Sequence, residues 1–122
     1  MKERPKLRTI TEQMKEWSAA LDSELVSWPD VTRKLMFGMI VFYHRDVVFA
    51  ALPRTKSFGP ENSVAFKIDA SSKELRTQLM SDSRLSFDDQ KPTPWITFEL
   101  HEPRDVNDAL KWFENAYQNT KR

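Results

Sequence analysis

Cysteine is absent from this chain of 122 residues, and glycine occurs only twice. The first absence removes disulfide frameworks, thiolate zinc sites and thiol nucleophiles. The second removes the glycine-rich loops that cradle phosphates. The only histidines are His44 and His101, far from the i, i+4 spacing with which two histidines on one helix hold zinc. No Gly-x-Ser-x-Gly motif marks a serine hydrolase. No run approaches the roughly 20 apolar residues of a membrane span, and the basic start "MKERPKLRTI" has no apolar stretch behind it, as a secretory signal would. Neither charge sign dominates: the net charge is +1, whereas nucleic-acid binders usually carry a marked basic excess. These absences lead us to expect a cytoplasmic protein that is no enzyme and has no membrane contact, metal or cofactor.

What is present reads as one domain over residues 9–122, preceded by a flexible basic tail over 1–8. The tail carries Lys2, Arg4, Lys6 and Arg8. Ile10, Met14, Trp17, Leu21 and Leu25 recur at helical spacing and predict a helix over 10–26, with a capping box at Thr9-Ile10-Thr11-Glu12. Pro29 ends it, because the residue before a proline is pushed out of helical geometry. "LMFGMIVFY" and "DVVFAAL" are rich in β-branched and aromatic residues and predict two buried strands joined at His44-Arg45-Asp46. Gly38, inside the first, suggests a bulge or a close backbone approach. No glycine serves the turn, so Arg45 or Asp46 must take any strained position, or the turn is of ordinary type I.

The stretch "PRTKSFGPEN" predicts a long loop. "SVAFKID" alternates Val64, Phe66 and Ile68 against Ala65 and Lys67, as a strand does. Ser71-Ser72-Lys73-Glu74 predicts a helix start, with Leu75, Leu79 and Met80 on the buried side. "RLSF" and "WITFEL" predict two further strands. Pro103 and Asp105 suit a helix N-terminus, and Val106, Leu110, Phe113 and Tyr117 give the buried face of a helix over 103–119. The expected architecture is a two-layer α+β domain in α-β-β-β-α-β-β-α order, with a mainly antiparallel five-stranded sheet covered by helices.

Four candidate chemistries are weighed against the residues. His44-Arg45-Asp46 matches the opening of a protein-kinase catalytic loop. Ala51 stands where that loop needs a metal-holding Asn, however, and neither a glycine-rich loop nor an Asp-Phe-Gly site exists. The three residues are therefore read as a turn. Arg33, Lys34, Arg45, Arg54 and Lys56 cluster loosely around the central hairpin and are candidates for contact with nucleic acid or a protein partner, with Phe58 or Trp95 adding stacking. Trp28 and Trp95 are candidates for lining a small-ligand pocket. Asp82, Asp88 and Asp89 lack the glycine and spacing of a calcium loop.

"WPDVTRKLMFGMIVFYHRDVVFAALP", followed by "SVAFKID", resembles the TfoX N-terminal domain (Sxy-like) family and its YjbR-like relatives. The matching residues are Met36, Phe37 and Gly38, then Phe49 and Ala50, with Lys67 in the next strand. Relatives usually carry a glycine in the turn where this chain has Arg45-Asp46. The resemblance implies an α+β domain like the secretion-chaperone fold and a regulatory or protein-interaction role. DNA binding, suggested for YjbR-like proteins, is the alternative. It supplies no catalytic residue.

Overall fold

The computed structural model describes residues 8–9, 11–57, 62–69, 72–88, 90 and 94–120. Its elements are β1 (Arg8–Thr9), α1 (Glu12–Leu25), β2 (Val31–Met36), β3 (Met39–His44), β4 (Val47–Pro53), β5 (Lys56–Ser57), β6 (Ser63–Lys67), α2 (Lys73–Met80), β7 (Leu85–Ser86), β8 (Trp95–Glu99) and α3 (Pro103–Gln118). The expected α+β class is found. The main sheet is antiparallel and has six strands, in the order β2-β3-β4-β6-β8-β7, rather than five.

The added strand comes from the run "LMFGMIVFY", which is not one strand. It contains a two-residue hairpin turn at Phe37–Gly38, closed by the pair Met36↔Met39. Phe37 has φ 55° and Gly38 φ 75°, the two left-handed residues of a type I′ turn. β2 therefore begins upstream, at Val31, and Gly38 is a turn residue rather than a bulge. The next hairpin repeats the device. His44↔Val47 closes it, and Arg45 and Asp46 take φ 52° and 71°. Both residues accept the strained region, without glycine. The irregularity lies beside this turn, between Phe42 and Tyr43.

One face of the sheet carries the core. Met14, Leu21 and Leu25 of α1, Leu79 of α2 and Ala109, Phe113 and Ala116 of α3 join Ile40, Phe42, Phe49, Phe66, Ile96 and Phe98 in one cluster. Phe42, Phe49, Phe66, Phe98 and Phe113 are fully buried, each contributing about 2–3 kcal/mol by area. Strand alternation sends Met39, Val41, Ala51, Ala65 and Trp95 to the opposite face, where they form a second, small cluster.

Helix starts are set by short side chains. Thr11, not Thr9, caps α1, its Oγ1 accepting from Met14 N–H at 3.1 Å. Ser72 caps α2 in the same way through Leu75 N–H. Leu75 and Leu79 face inward, but Met80 is exposed, since it lies one residue round the helix from Leu79. Arg8, the last residue of the expected tail, pairs with Ser57. Lys2, Arg4, Lys6, Phe58 and Asp89 lie outside the described residues.

Candidate functional site

β2 is the sheet's full-length edge. Among the described residues, its six residues pair with β3 alone. The other edge, β7, has two residues. Thr32, Arg33, Lys34 and Leu35 are exposed, so β2 is open on both faces as well as along its edge. Leu35 is 57% exposed, and Phe37, in the turn that follows, is 81% exposed. The turn is held from beneath: the N–H groups of Arg54 and Thr55 both donate to the Gly38 carbonyl at 2.9 Å. That contact fixes the tip and brings exposed Arg54 beside it.

Phe37 is costly in two ways. Left-handed backbone is disfavoured for any residue with a bulky side chain, and Asn, Asp or Gly would occupy the position more cheaply. Its ring is also left in water. An observed outlier of this kind is a reason to look for function.

The five candidate basic residues do not form one patch. Arg33 points to the helix face, where its Nη1 donates to Asp22 Oδ2 at 3.0 Å. Lys34 points to the other face, with Nζ 5.4 Å from the centre of the Tyr43 ring. Arg45 lies at the far end of the hairpin, its Nε donating to Asp30 Oδ2 at 3.1 Å. Arg54 lies at the Phe37 end. The six residues of β3 separate these ends by roughly 20 Å. Lys56 is in β5. Asp22 Oδ1 is buried without a hydrogen-bond partner among the described residues.

Nor do the two candidate tryptophans meet. Trp28 stacks on Phe49 and meets Tyr117 edge-on, on the core face. Trp95 lies on the opposite face, under the Lys67 ammonium at 5.6 Å. A cleft of about 280 Å³ does exist, but neither tryptophan lines it. It opens between Val47, Lys67 and Asp69 on the sheet side and Asn119 and Thr120 at the end of α3.

Charge is concentrated elsewhere. Arg84 gathers three carboxylates: Asp82 (Nε–Oδ1 3.0 Å, Nη2–Oδ2 2.8 Å), Asp105 (2.6 Å) and Asp108 (3.0 Å). Its guanidinium also lies 4.6 Å from the centre of the Phe98 ring. Asp105 is buried, and its Oδ2 accepts from the N–H groups of His101 and Glu102 at 2.7 and 3.1 Å. The hydrogen bond from Arg84 holds Asp82 below the usual carboxylate range. Burial pushes Asp105 up, but the two backbone N–H groups and Arg84 outweigh it and hold it low. Arg84 is raised in turn, chiefly by Asp82. Every group in this set is satisfied by another, which makes it a staple between the β7 approach and the start of α3. Among the described residues, no three His, Asp or Glu side chains are placed to hold a metal ion, and no helix is long and apolar enough to cross a membrane.

Sequence reasoning singled out Phe37 as part of a motif but missed its exposure. The available signal was Phe-Gly between two apolar runs, with glycine at the second turn position. The Arg84 set also went unseen, because its members are 26 residues apart at the extremes. No protein-family model, curated protein or solved structure matches this chain.

Proposed function

We propose that this chain is a non-enzymatic regulatory or protein-interaction module of the cytoplasm, and that it docks a protein partner through the tip of the β2–β3 hairpin. One observation carries the reading: Phe37 is 81% exposed while holding a left-handed backbone. A sequence optimised for folding alone would place a small polar residue there. Exposed aromatic side chains on a rigid element are the usual anchors of protein interfaces. Leu35 extends the apolar surface, and Arg54 borders it. The likeness of Met36-Phe37-Gly38 to the TfoX N-terminal pattern agrees with such a role.

The test separates folding from binding. Phe37→Asn gives the turn the Asn-Gly pair that type I′ geometry prefers, so the variant should melt higher than the parent. It should also lose the proteins that the parent captures under quantitative affinity purification. An unchanged set of captured proteins, with the variant folded, would sink the reading.

A further inference from the structure

We infer that the outer edge of β2 is a strand-addition site for an extended segment of a partner protein, one that alternates acidic and apolar residues. This rests on the interaction-module reading above and names the way the partner is held.

The backbone sets the geometry. A two-residue hairpin closes with a hydrogen-bonded pair, here Met36↔Met39, and bonded pairs then alternate along the ladder. Lys34↔Val41 and Thr32↔Tyr43 are therefore bonded pairs. The next in the series is confirmed directly, since Arg45 N–H donates to the Asp30 carbonyl at 3.1 Å. It follows that the N–H and C=O groups of Val31, Arg33 and Leu35 point away from β3. No described strand pairs with them. An open edge of this kind needs a safeguard, such as a proline, a bulge or a very short strand. β2 has none of the three. Among the described residues its safeguards are the charges of Arg33 and Lys34, one on each face, and Lys34 also selects a partner.

Charge decides between occupants. A second copy of this chain is the first alternative for any open edge. The two-fold antiparallel register that pairs the whole strand must match Val31, Arg33 and Leu35 with their copies. It sets Arg33 directly against Arg33 and Val31 against Leu35. Like charges directly opposite each other destabilise a strand pair. β2 contains no acidic residue, so self-pairing finds no counter-charge within the strand. Asp22 takes one donor of the Arg33 guanidinium. Lys34, on the other face, makes no ion pair among the described residues. An alternating segment whose carboxylates lie on the Lys34 face meets that cation, while its apolar residues meet Leu35 on the helix face, where Asp22 already answers Arg33. Added strands draw affinity from main-chain bonds and specificity from alternate side chains. β2 has room for about six residues, roughly 20 Å of extended chain.

The experiment uses the full chain, isotope-labelled, and a synthetic octapeptide of alternating Glu and Val. A peptide with Lys for Glu is the control. Amide exchange is read residue by residue. The acidic peptide should slow exchange at Val31, Arg33 and Leu35 at least about tenfold, while Thr32 and Lys34, already bonded to β3, change little. Arg33→Pro removes an outward N–H while leaving the ladder to β3, a placement edge strands tolerate, and should abolish the effect. Lys34→Glu, which keeps the backbone whole, should weaken it as well. Three results overturn the proposal: no protection with the acidic peptide, equal protection with the lysine peptide, or protection of the same amides that rises with protein concentration alone, which marks a second copy. If Phe37→Asn loses captured partners while Arg33→Pro, shown folded, keeps them all, strand addition falls and the interaction-module reading stands. If Phe37→Asn loses none, that reading falls by itself.

Discussion

His44 Nδ1 lies 3.0 Å from the Tyr117 carbonyl oxygen, and the two rings stack with centroids 4.0 Å apart. Thr120 Oγ1, 2.7 Å from the same nitrogen, donates to that carbonyl. The arrangement ties the last turn of α3 to the end of β3. The residue that opened a kinase-like triplet thus works as a clamp for a helix end. A carbonyl accepts only, so the bond to Tyr117 needs the hydrogen on Nδ1.

Tyr117 is the other half of that clamp and touches more than His44. Its ring meets Trp28 and Phe49 edge-on, and its hydroxyl donates to the Pro29 carbonyl at 2.7 Å. Tyr117→Phe should cost about 1 kcal/mol, the net worth of one hydrogen bond. Tyr117→Ala should cost about 3 kcal/mol, because it empties the space between three aromatic rings. Urea unfolding of the two variants checks the ratio. Equal losses would show that the ring packing contributes nothing.

The two hairpin turns should respond to substitution with opposite signs. Asp46 has φ 71° and is exposed. Asp46→Gly relieves the left-handed strain and should stabilise by about 0.5–1 kcal/mol. Gly38 has φ 75° and already spends no such energy. Gly38→Ala should destabilise by about 1 kcal/mol or more. Thermal melts distinguish the two, and a destabilised Asp46→Gly would mean that its side chain compensates for the strain.

These turns also mark the limit of what could be read in the sequence. α1 and α3 were legible because their apolar stripes are long and recur at one period, and the short α2 from its capping residues. β6 and β8 were legible from alternation, with Val64, Phe66 and Ile68 buried as expected. The break within "LMFGMIVFY" was not, because its first turn residue is a phenylalanine and offers no polar punctuation. Trp28 and Trp95 looked equivalent in sequence. Only the strand register places Trp95 opposite Lys67, on the face away from Trp28. The basic residues looked clustered because they are near in sequence, yet a hairpin sends its two ends apart.

Ser18 offers a test inside the core. It is 4% exposed on α1, and its hydroxyl donates to the carbonyl of Pro53, the last residue of β4. Ser18→Ala leaves that carbonyl without its donor and should cost about 1–2 kcal/mol. Ser18→Val would add an overpacking cost to the same loss. Chemical denaturation should rank parent, alanine and valine variants in that order. A neutral alanine variant would show that water replaces the hydroxyl.

Acid stability tests the Arg84 staple. Asp82 and Asp105 are both held below their ordinary value in the folded chain. A depressed carboxylate contributes stability above its unfolded pKa, and the contribution is lost as pH falls through the folded value. The unfolded value for Asp is about 3.9. The staple should therefore stabilise fully at neutral pH and fade progressively below about pH 4. Asp105→Asn keeps an oxygen for the N–H groups of His101 and Glu102 but removes the charge facing Arg84. At pH 7 it should cost about 2 kcal/mol, within the range for a hydrogen bond to a charged partner. At pH 2.5 the difference between variant and parent should shrink, because the unfolded parent then binds protons on carboxylates whose ordinary value is about 3.9, while the folded ones are held lower. Arg84→Met should follow the same pattern with a larger loss at pH 7, since it leaves buried Asp105 beside Asp82 and Asp108 with only the exposed Lys111 ammonium, 4.0 Å from Asp108, as a nearby cation. Stability measured against pH for the parent and both variants decides the matter. A gap that stays constant from pH 7 to 2.5 would assign the loss to packing around Phe98 rather than to charge.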